Sequence, residues 1–175
     1  MKRSILLVAC AILAGIATVS AQGQLPRKVN NPTICNMEGD ATKLPKWGEK
    51  NLLIFYVDPD SYFGKNANKE FSSEIEENKR ASGPNLFGFG IINTADTKLP
   101  KGIVRNAARK RCEKSGALSF DDQNHSIVEG WGLGDCDGKF AILVISKEGE
   151  LVYAQKEELT PEGKEDFYKF IEAYK

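Results

Sequence analysis

The feature that most constrains the fold is the apolar run Leu52–Val57, in which every residue is hydrophobic. Successive side chains of a β-strand point to opposite faces of its sheet. A strand that is apolar on both faces is typical of the centre of a sheet that helices cover on each side. The run therefore predicts a buried central strand in a layered α/β domain.

The rest of the chain alternates between strand and helix patterns. Ala67, Phe71 and Ile75 recur every fourth position among charged residues, which predicts an amphipathic helix over 66–79. The other expected elements are a small hairpin from 33, strands at 87–92, 117–120, 140–145 and 151–154, and helices at 102–115 and from 160 onward. Helical connections require parallel neighbours and the tight turn after 145 requires an antiparallel pair, so we expect a mixed sheet in a three-layer α/β sandwich.

The last helix carries the clearest signals. Thr160 suits the N-cap position and Pro161 suits the first helical position. The apolar residues Phe167, Ile171 and Tyr174 then recur at helical spacing. This pattern predicts a C-terminal helix with one apolar face.

The N-terminal residues predict export. Lys2 and Arg3 precede an apolar stretch that runs from Ile5 to Val19, and small residues up to Ala21 provide a signal-peptidase site. The stretch is too short for a permanent membrane helix and lacks the flanks of one. We therefore expect a cleaved signal peptide and a periplasmic protein, with secretion as the other outcome.

Cleavage after residue 21 divides the chain into a signal peptide (1–21), a flexible leader (22–32) and one folded domain (33–175). A competing interpretation is a lipoprotein signal that ends at Cys10. Only about five apolar residues would then precede that cysteine, fewer than the roughly 7–15 of a usual signal. We favour cleavage after residue 21.

Charge and length exclude several classes of function. Removing 1–21 takes away two basic residues and leaves 22 Lys and Arg against 24 Asp and Glu, a net charge of about −2. A nearly neutral chain is not attracted to nucleic acids or acidic membranes. No later apolar run approaches membrane-spanning length. We expect no nucleic-acid partner and no stable membrane insertion.

Three cysteines remain after cleavage: Cys35, Cys112 and Cys136. In an oxidising compartment one pair could form a disulfide and leave one free thiol. Cys112 and Cys136 are the closest pair in sequence, but the sequence does not establish connectivity. Each cysteine could equally be a small buried apolar residue.

Four segments carry a resemblance to a known family: Ile91–Asp96, Ile127–Leu133, Val144–Val152 and Leu159–Glu162. Together they resemble the YtfJ-like family of exported bacterial proteins, within the thioredoxin-like superfamily, over residues 33–175. The resemblance implies a thioredoxin-like sandwich with a mixed central sheet flanked by helices, a periplasmic setting and a largely uncharacterised activity. It also implies a short helix at 127–133.

The chain departs from a redox thioredoxin in two places. Redox thioredoxins carry a CxxC motif after the central strand and a cis-proline that faces it. Here Asp58–Ser61 follows the strand, no cysteine lies between Cys35 and Cys112, and no proline lies between Pro100 and Pro161. The resemblance therefore implies a non-redox binding or accessory protein of the cell envelope, with no assigned catalytic residue.

The turn after the central strand is the first candidate binding site, with Asp58, Asp60, Ser61 and Tyr62. Ligands of α/β sheets usually bind beyond the carboxyl ends of strands. Paired carboxylates there could hold a hard cation or act as an acid–base pair. The alternative, which we favour, is a polar turn that caps the next helix.

A second acidic loop contains Asp135, Cys136 and Asp137, and the fold would place it beside the first. These two aspartates complete the candidate ligand site. A reactive Cys136 thiolate would need positive neighbours, and its immediate neighbours are carboxylates. A plain turn, or one end of a disulfide, fits this segment better.

The remaining polar residues predict no metal or cofactor. His125 is the single histidine, whereas zinc and copper sites usually need several His or Cys ligands. We interpret it as a surface turn residue. The basic stretch 105–114 fits a solvated helix face with cations near the helix C-terminus, and Trp131 fits core packing.

Three functions remain open from the sequence. The favoured one is a non-redox protein that holds an envelope protein or a small ligand near the two acidic loops. The alternative is an atypical thiol-disulfide oxidoreductase that uses Cys136, alone or with Cys112. A metal-assisted hydrolase built on the acidic loops is the third.

Overall fold

The structure is a computed structural model that describes residues 24–63 and 67–175, with the side chains of residues 62, 63 and 67 outside the description. The expected signal peptide, 1–21, lies outside the described residues. The strands are β1 (Arg27–Lys28), β2 (Thr33–Cys35), β3 (Ala41–Lys43), β4 (Asn51–Val57), β5 (Leu86–Asn93), β6 (Ser119–Asp122), β7 (Phe140–Ile145) and β8 (Glu150–Gln155). The helices are α1 (Ala67–Asn78), α2 (Lys101–Ser115), α3 (Ser126–Gly130) and α4 (Pro161–Ile171), with 3₁₀ helices at Pro59–Phe63 and Glu172–Tyr174.

The described strands form one mixed sheet in the order β1-β8-β7-β4-β5-β6-β2-β3. β4 pairs in parallel with β5, and β5 pairs in parallel with β6, through the helical connections α1 and α2. All other neighbours are antiparallel, including the β7–β8 hairpin on the other side of β4. This arrangement agrees with the mixed sheet that the sequence predicts.

The central strand β4 contributes to two cores, one on each face of the sheet. Leu52, Ile54 and Tyr56 belong to the first core, which also contains the short helix α3 and Trp131. Leu53 belongs to the second core, on which α1 and α4 pack. Because successive side chains of β4 enter different cores, the strand has to be apolar on both faces.

Both parallel crossovers place their helices on the same face of the sheet. Right-handed crossovers from β4 to β5 and from β5 to β6 progress in one direction along the sheet, so α1 and α2 lie side by side. Phe71 and Ile75 of α1 are buried, whereas α2 buries only Val104 among its residues. α2 therefore covers the sheet less completely than α1 does.

Most element bounds agree with those predicted from the sequence to within one residue. The exception among the later strands is β6, which begins at Ser119 instead of residue 117. Gly116 ends α2 in the left-handed conformation (φ 72°) and donates its backbone N–H to the Cys112 carbonyl. Ladder pairing with β5 then starts where Ser119 meets Gly90.

The segment expected to be a flexible leader contains a strand. Arg27 and Lys28 form β1 and pair with Leu151 and Glu150 at the edge of the sheet. Arg27 Nη2 also donates to the Trp131 carbonyl at 2.6 Å. A free edge strand accepts such pairing readily, and a polar sequence of this length gives no periodic signal of it.

Within residues 24–63 and 67–175, no helix is both long enough and apolar enough to cross a membrane.

Candidate functional site

Asp58 directly follows β4 and is fully buried. Its Oδ1 accepts the backbone N–H of Asp60 at 2.8 Å, and its Oδ2 accepts that of Gly138 at 2.8 Å. Burial raises the pKa of this carboxyl, and the two backbone hydrogen bonds partly oppose that rise. Asp58 thus caps the 3₁₀ helix and ties it to the second acidic loop, which agrees with the capping interpretation.

The other polar residues of this turn also bond within the protein. Asp60 accepts the Thr97 hydroxyl at 2.9 Å through Oδ1 and the Lys98 backbone N–H at 3.1 Å through Oδ2. The Ser61 hydroxyl donates to the Asp58 carbonyl at 2.6 Å. Tyr62 lies in the 3₁₀ helix, and its side chain is outside the described residues. The described part of the turn is therefore internally satisfied.

The structure brings the second acidic loop beside the first. The Asp58 backbone N–H donates to the Lys139 carbonyl at 2.9 Å, in addition to the side-chain bond to Gly138. Lys156 Nζ holds the loop from the other side by donating to the Asp135 carbonyl at 2.9 Å. The carboxylates of Asp135 and Asp137 are exposed at its surface. Among the members of the predicted set whose side chains the structure describes, these two are the exposed ones.

A histidine–carboxylate pair lies where β5 and β6 end. His125 Nε2 is 2.6 Å from Asp96 Oδ1, and both side chains are partly buried. Asp96 Oδ2 accepts the Asn93 side-chain amide at 2.6 Å. His125 has a φ of 56°, an unusual conformation for a residue other than glycine. His125 lies in the loop between β6 and α3, as the surface-turn interpretation expects, and the loop after β5 supplies a partner that the sequence did not predict.

A buried carboxylate connects β4, β6 and α3. Asp122 Oδ2 accepts the Tyr56 hydroxyl at 3.1 Å and the Ile127 backbone N–H at 2.9 Å, and its Oδ1 accepts the Ser126 backbone N–H at 2.8 Å. Burial, followed by the negative charge of Asp122, raises the pKa of Tyr56. The tyrosine therefore serves as a neutral hydrogen-bond donor.

Asp121 is the neighbouring buried carboxylate on β6. Its Oδ1 accepts the Thr94 hydroxyl at 2.5 Å, whereas its buried Oδ2 has no hydrogen-bond partner. Arg105 Nε lies 3.8 Å from Oδ2, within ion-pair distance. Burial raises the pKa of Asp121, and the Thr94 hydrogen bond and Arg105 partly oppose it.

The three described cysteines are free thiols. Cys136 packs in the first core with Tyr56, whereas Cys112 lies on α2 and lines a cavity with Leu53 on the other face. The sheet separates the two cysteines, so the Cys112–Cys136 disulfide considered from the sequence does not form in this structure. Proximity in sequence could not reveal that they lie on opposite faces.

Cys136 lies close to the predicted site but is only 2% exposed. Burial raises the pKa of its thiol to about 11, and the negative charge of Asp135 acts in the same direction. Lys156 lowers the pKa without reversing this balance. At neutral pH the thiol is therefore protonated and is a poor nucleophile.

The described part of the chain contains no group of three or more His, Cys, Asp or Glu side chains that could hold a metal ion. The paired carboxylates Asp58 and Asp60 instead bond to different backbone and side-chain donors. This geometry gives no support to the metal-assisted hydrolase.

Sequence reasoning did not bring together four residues of this polar cluster: Tyr56, Asp96, Asp122 and His125. Each lies at or just beyond the carboxyl end of β4, β5 or β6. A signal was present, since polar residues follow two successive apolar strands in a fold where those strand ends meet. The pairing itself depends on loop conformation, as the left-handed His125 shows.

No protein-family model matches the sequence, and no curated protein matches it. Solved structures do match. A DsbF homologue from Corynebacterium diphtheriae shares 14% identity at a TM-score of 0.60, covering 85% of this chain and 87% of that chain. The pneumococcal exposed lipoprotein thioredoxin from Streptococcus pneumoniae strain TIGR4 shares 12% identity at a TM-score of 0.58, covering 82% of this chain and 99% of that chain.

A thiol-disulfide oxidoreductase from Bacteroides fragilis is a third match, with 10% identity and a TM-score of 0.55 over 83% of this chain and 99% of that one. At these identities the likeness establishes the fold. The protein has a thioredoxin-like α/β fold, as the sequence predicted.

Proposed function

We propose that this protein is an exported, non-redox binding or accessory protein of the bacterial cell envelope, built on a thioredoxin-like fold and similar to the YtfJ-like family. One observation carries the proposal. The turn after β4 holds no thiol, and the polar groups of Asp58, Asp60 and Ser61 bond to the protein itself. A turn of this kind positions two loops and performs no dithiol exchange.

The alternative is an atypical thiol-disulfide oxidoreductase that uses Cys136, alone or with Cys112. The matched structures include a thiol-disulfide oxidoreductase, and Cys136 packs beside Tyr56 near the end of β4. The raised pKa and burial of Cys136 oppose this function, as does the position of Cys112 on the other face. We therefore rank it second.

Alkylation followed by mass spectrometry separates the two functions. We expect the native protein to react at the half-buried Cys112 and Cys35, and Cys136 to react only after unfolding. Treatment with a reductant should not change this pattern, since all three thiols are free. Rapid alkylation of native Cys136 at pH 7, or a pattern that changes with reductant, would overturn the proposal.

Export is tested separately from thiol chemistry. In a bacterial host, the full chain should accumulate in the periplasmic fraction with an N-terminus at Gln22. Mass spectrometry of the intact protein measures this directly. A chain that retains residues 1–21, or one that carries a lipid on Cys10, would contradict the proposed route.

The partner of the proposed site is an envelope protein or a small ligand. The exposed carboxylates Asp135 and Asp137 are the groups best placed to contact it. A photo-crosslinking residue at Asp137 should therefore capture a partner in the native envelope. The same residue at Lys110, on α2, is the matched control and should not capture that partner.

A further inference from the structure

A large cavity opens between α1 and α2, on the face of the sheet opposite Cys136. Its volume is about 660 Å³, within the range of small-molecule sites. Leu53 and Phe55 contribute to its wall, and Cys112 lines it from α2. The cavity is mostly apolar, and Pro59 of the first acidic loop belongs to its lining.

Small residues create this cavity. On β5, Gly88 and Gly90 face the helices where a central strand usually carries large apolar side chains. On the facing side of α2, Ala107 and Ala108 add little volume. The space that larger side chains would fill in a close-packed core is therefore left open.

Exposed apolar residues line the same cavity. Among the described residues, the large hydrophobic side chains that are exposed are Ile103 (65%) and Leu118 (48%), and both belong to its lining. Ile103 lies near the N-terminal end of α2 and Leu118 lies just beyond its C-terminal end. Apolar surface therefore extends along the length of the helix, which favours an elongated apolar ligand.

The backbone of the sheet disfavours an extended peptide. An extended peptide would find no backbone partners, because the hydrogen bonds of β5 lie in the plane of the sheet and pair with β4 and β6. A hydrocarbon chain requires no such partners.

Cationic side chains stand at the edge of the cavity. Lys79, just after α1, and Arg111 on α2 are both part of its lining. The described lining residues include one carboxylate, Glu76. α2 itself carries six Lys and Arg residues and one Glu. The charge at this edge complements an anionic group.

We propose that the cavity between α1 and α2 binds a single-chain fatty acid, with the hydrocarbon tail over Gly88 and Gly90 and the carboxylate near Lys79 and Arg111. The apolar lining, the exposed Ile103 and Leu118 and the cationic edge each favour this ligand. This proposal does not depend on the role of the acidic loops.

Filling the cavity tests the position of the tail. A Cβ added at Gly88 would meet only the Leu53 carbonyl at 3.9 Å, so Gly88→Leu places a side chain in open space. Binding is measured with a conjugated polyene fatty acid whose fluorescence rises in apolar surroundings, with palmitate as competitor. We expect wild type to bind saturably and Gly88→Leu to bind at least roughly tenfold more weakly.

Gly102→Leu is the matched control, because a Cβ there meets nothing within 4 Å and the residue lies outside the cavity lining. It should bind as tightly as wild type. Thermal unfolding of both variants verifies that they fold. Absence of saturable binding in wild type, or equal binding by Gly88→Leu, would overturn the proposal.

Charge substitutions test the position of the carboxylate. Arg111→Gln should weaken binding roughly tenfold, the effect of losing one charge-assisted contact. Arg109→Gln is the control, because Arg109 lies on the same helix, outside the lining, and bonds to Asn106. A fatty alcohol of equal length should compete poorly. Equal competition by the alcohol would refute recognition of the carboxylate.

Cys112 provides a readout in the unmodified protein. Palmitate should slow its alkylation at least several-fold and leave that of Cys35, which lies outside the lining, unchanged. Unaltered alkylation of Cys112 would contradict the proposal without any variant. A dimer in solution that Gly88→Leu dissociates would assign the cavity to a second copy of the chain and also overturn it.

Discussion

At the scale of single residues, buried carboxylates hold the carboxyl ends of the strands together. Asp58, Asp121 and Asp122 are all fully buried. Asp58 joins the turn after β4 to the loop before β7, and Asp122 joins β4 and β6 to α3. In a thioredoxin-like fold this region would hold reactive thiols, and here it contains a hydrogen-bonded framework.

Asp122 should be the most sensitive position of this framework. Asp122→Ala leaves the Tyr56 hydroxyl and the backbone N–H groups of Ser126 and Ile127 without their acceptor. We expect the free energy of unfolding to fall by about 3–5 kcal/mol. Tyr56→Phe removes a single donor and should cost about 1 kcal/mol. Urea denaturation measures both, and equal losses would contradict the assigned roles.

Asp121 should make stability depend on pH. Since its folded pKa is raised, the charged form is disfavoured in the folded state, and its contribution to stability is greatest below the ordinary Asp pKa of about 3.9. That contribution disappears as the pH rises through the raised pKa.

The variant Asp121→Asn isolates this effect, because its amide oxygen can still accept the Thr94 hydroxyl. Relative to Asp121→Asn, wild type should lose stability as the pH rises above about 4, until the pH passes the raised pKa, in denaturant titrations over pH 4–7. A difference between the two proteins that stays constant over this range would refute the assignment.

Single residues were predictable from sequence when their partners were local. The capping role of Asp58 follows from its position two residues before Asp60 in a polar turn. The His125–Asp96 pair spans 29 positions and the Tyr56–Asp122 pair spans 66, so both depend on which strands become neighbours. Such pairs become visible only when the strand order is known.

At the scale of elements, local periodicity predicted those that bury an apolar face. The strand at 140–145 has the predicted bounds, and α1, α2 and α4 lie within a residue or two of theirs. The two-residue strand β1 was not predicted, because backbone pairing at a sheet edge leaves no pattern in so short a segment.

The C-terminal helix provides an element-scale test. The Thr160 hydroxyl accepts the Gly163 backbone N–H at 3.1 Å, and Pro161 occupies the first helical position, as predicted. Thr160→Ala should lower the free energy of unfolding by about 1 kcal/mol, whereas Thr160→Ser keeps the acceptor and should cost much less. Guanidinium denaturation compares the two, and equally destabilised variants would show that the cap contributes nothing.

At the scale of the whole molecule, the sheet separates two regions with different proposed roles. One face carries the first core, which includes Cys136 of the second acidic loop. The other face carries the cavity between α1 and α2, with Cys112 in its lining. A sheet between two thiols prevents their joint chemistry, and this topology supports the proposed loss of redox function.

The central claim is tested most directly by disulfide turnover. The purified protein, without residues 1–21, is added to an insulin-reduction assay driven by dithiothreitol, with a redox-active thioredoxin as the positive control. We predict a rate equal to that of dithiothreitol alone. A protein-dependent rate that Cys136→Ala abolishes would contradict the account, since it would show that the buried thiol is catalytic.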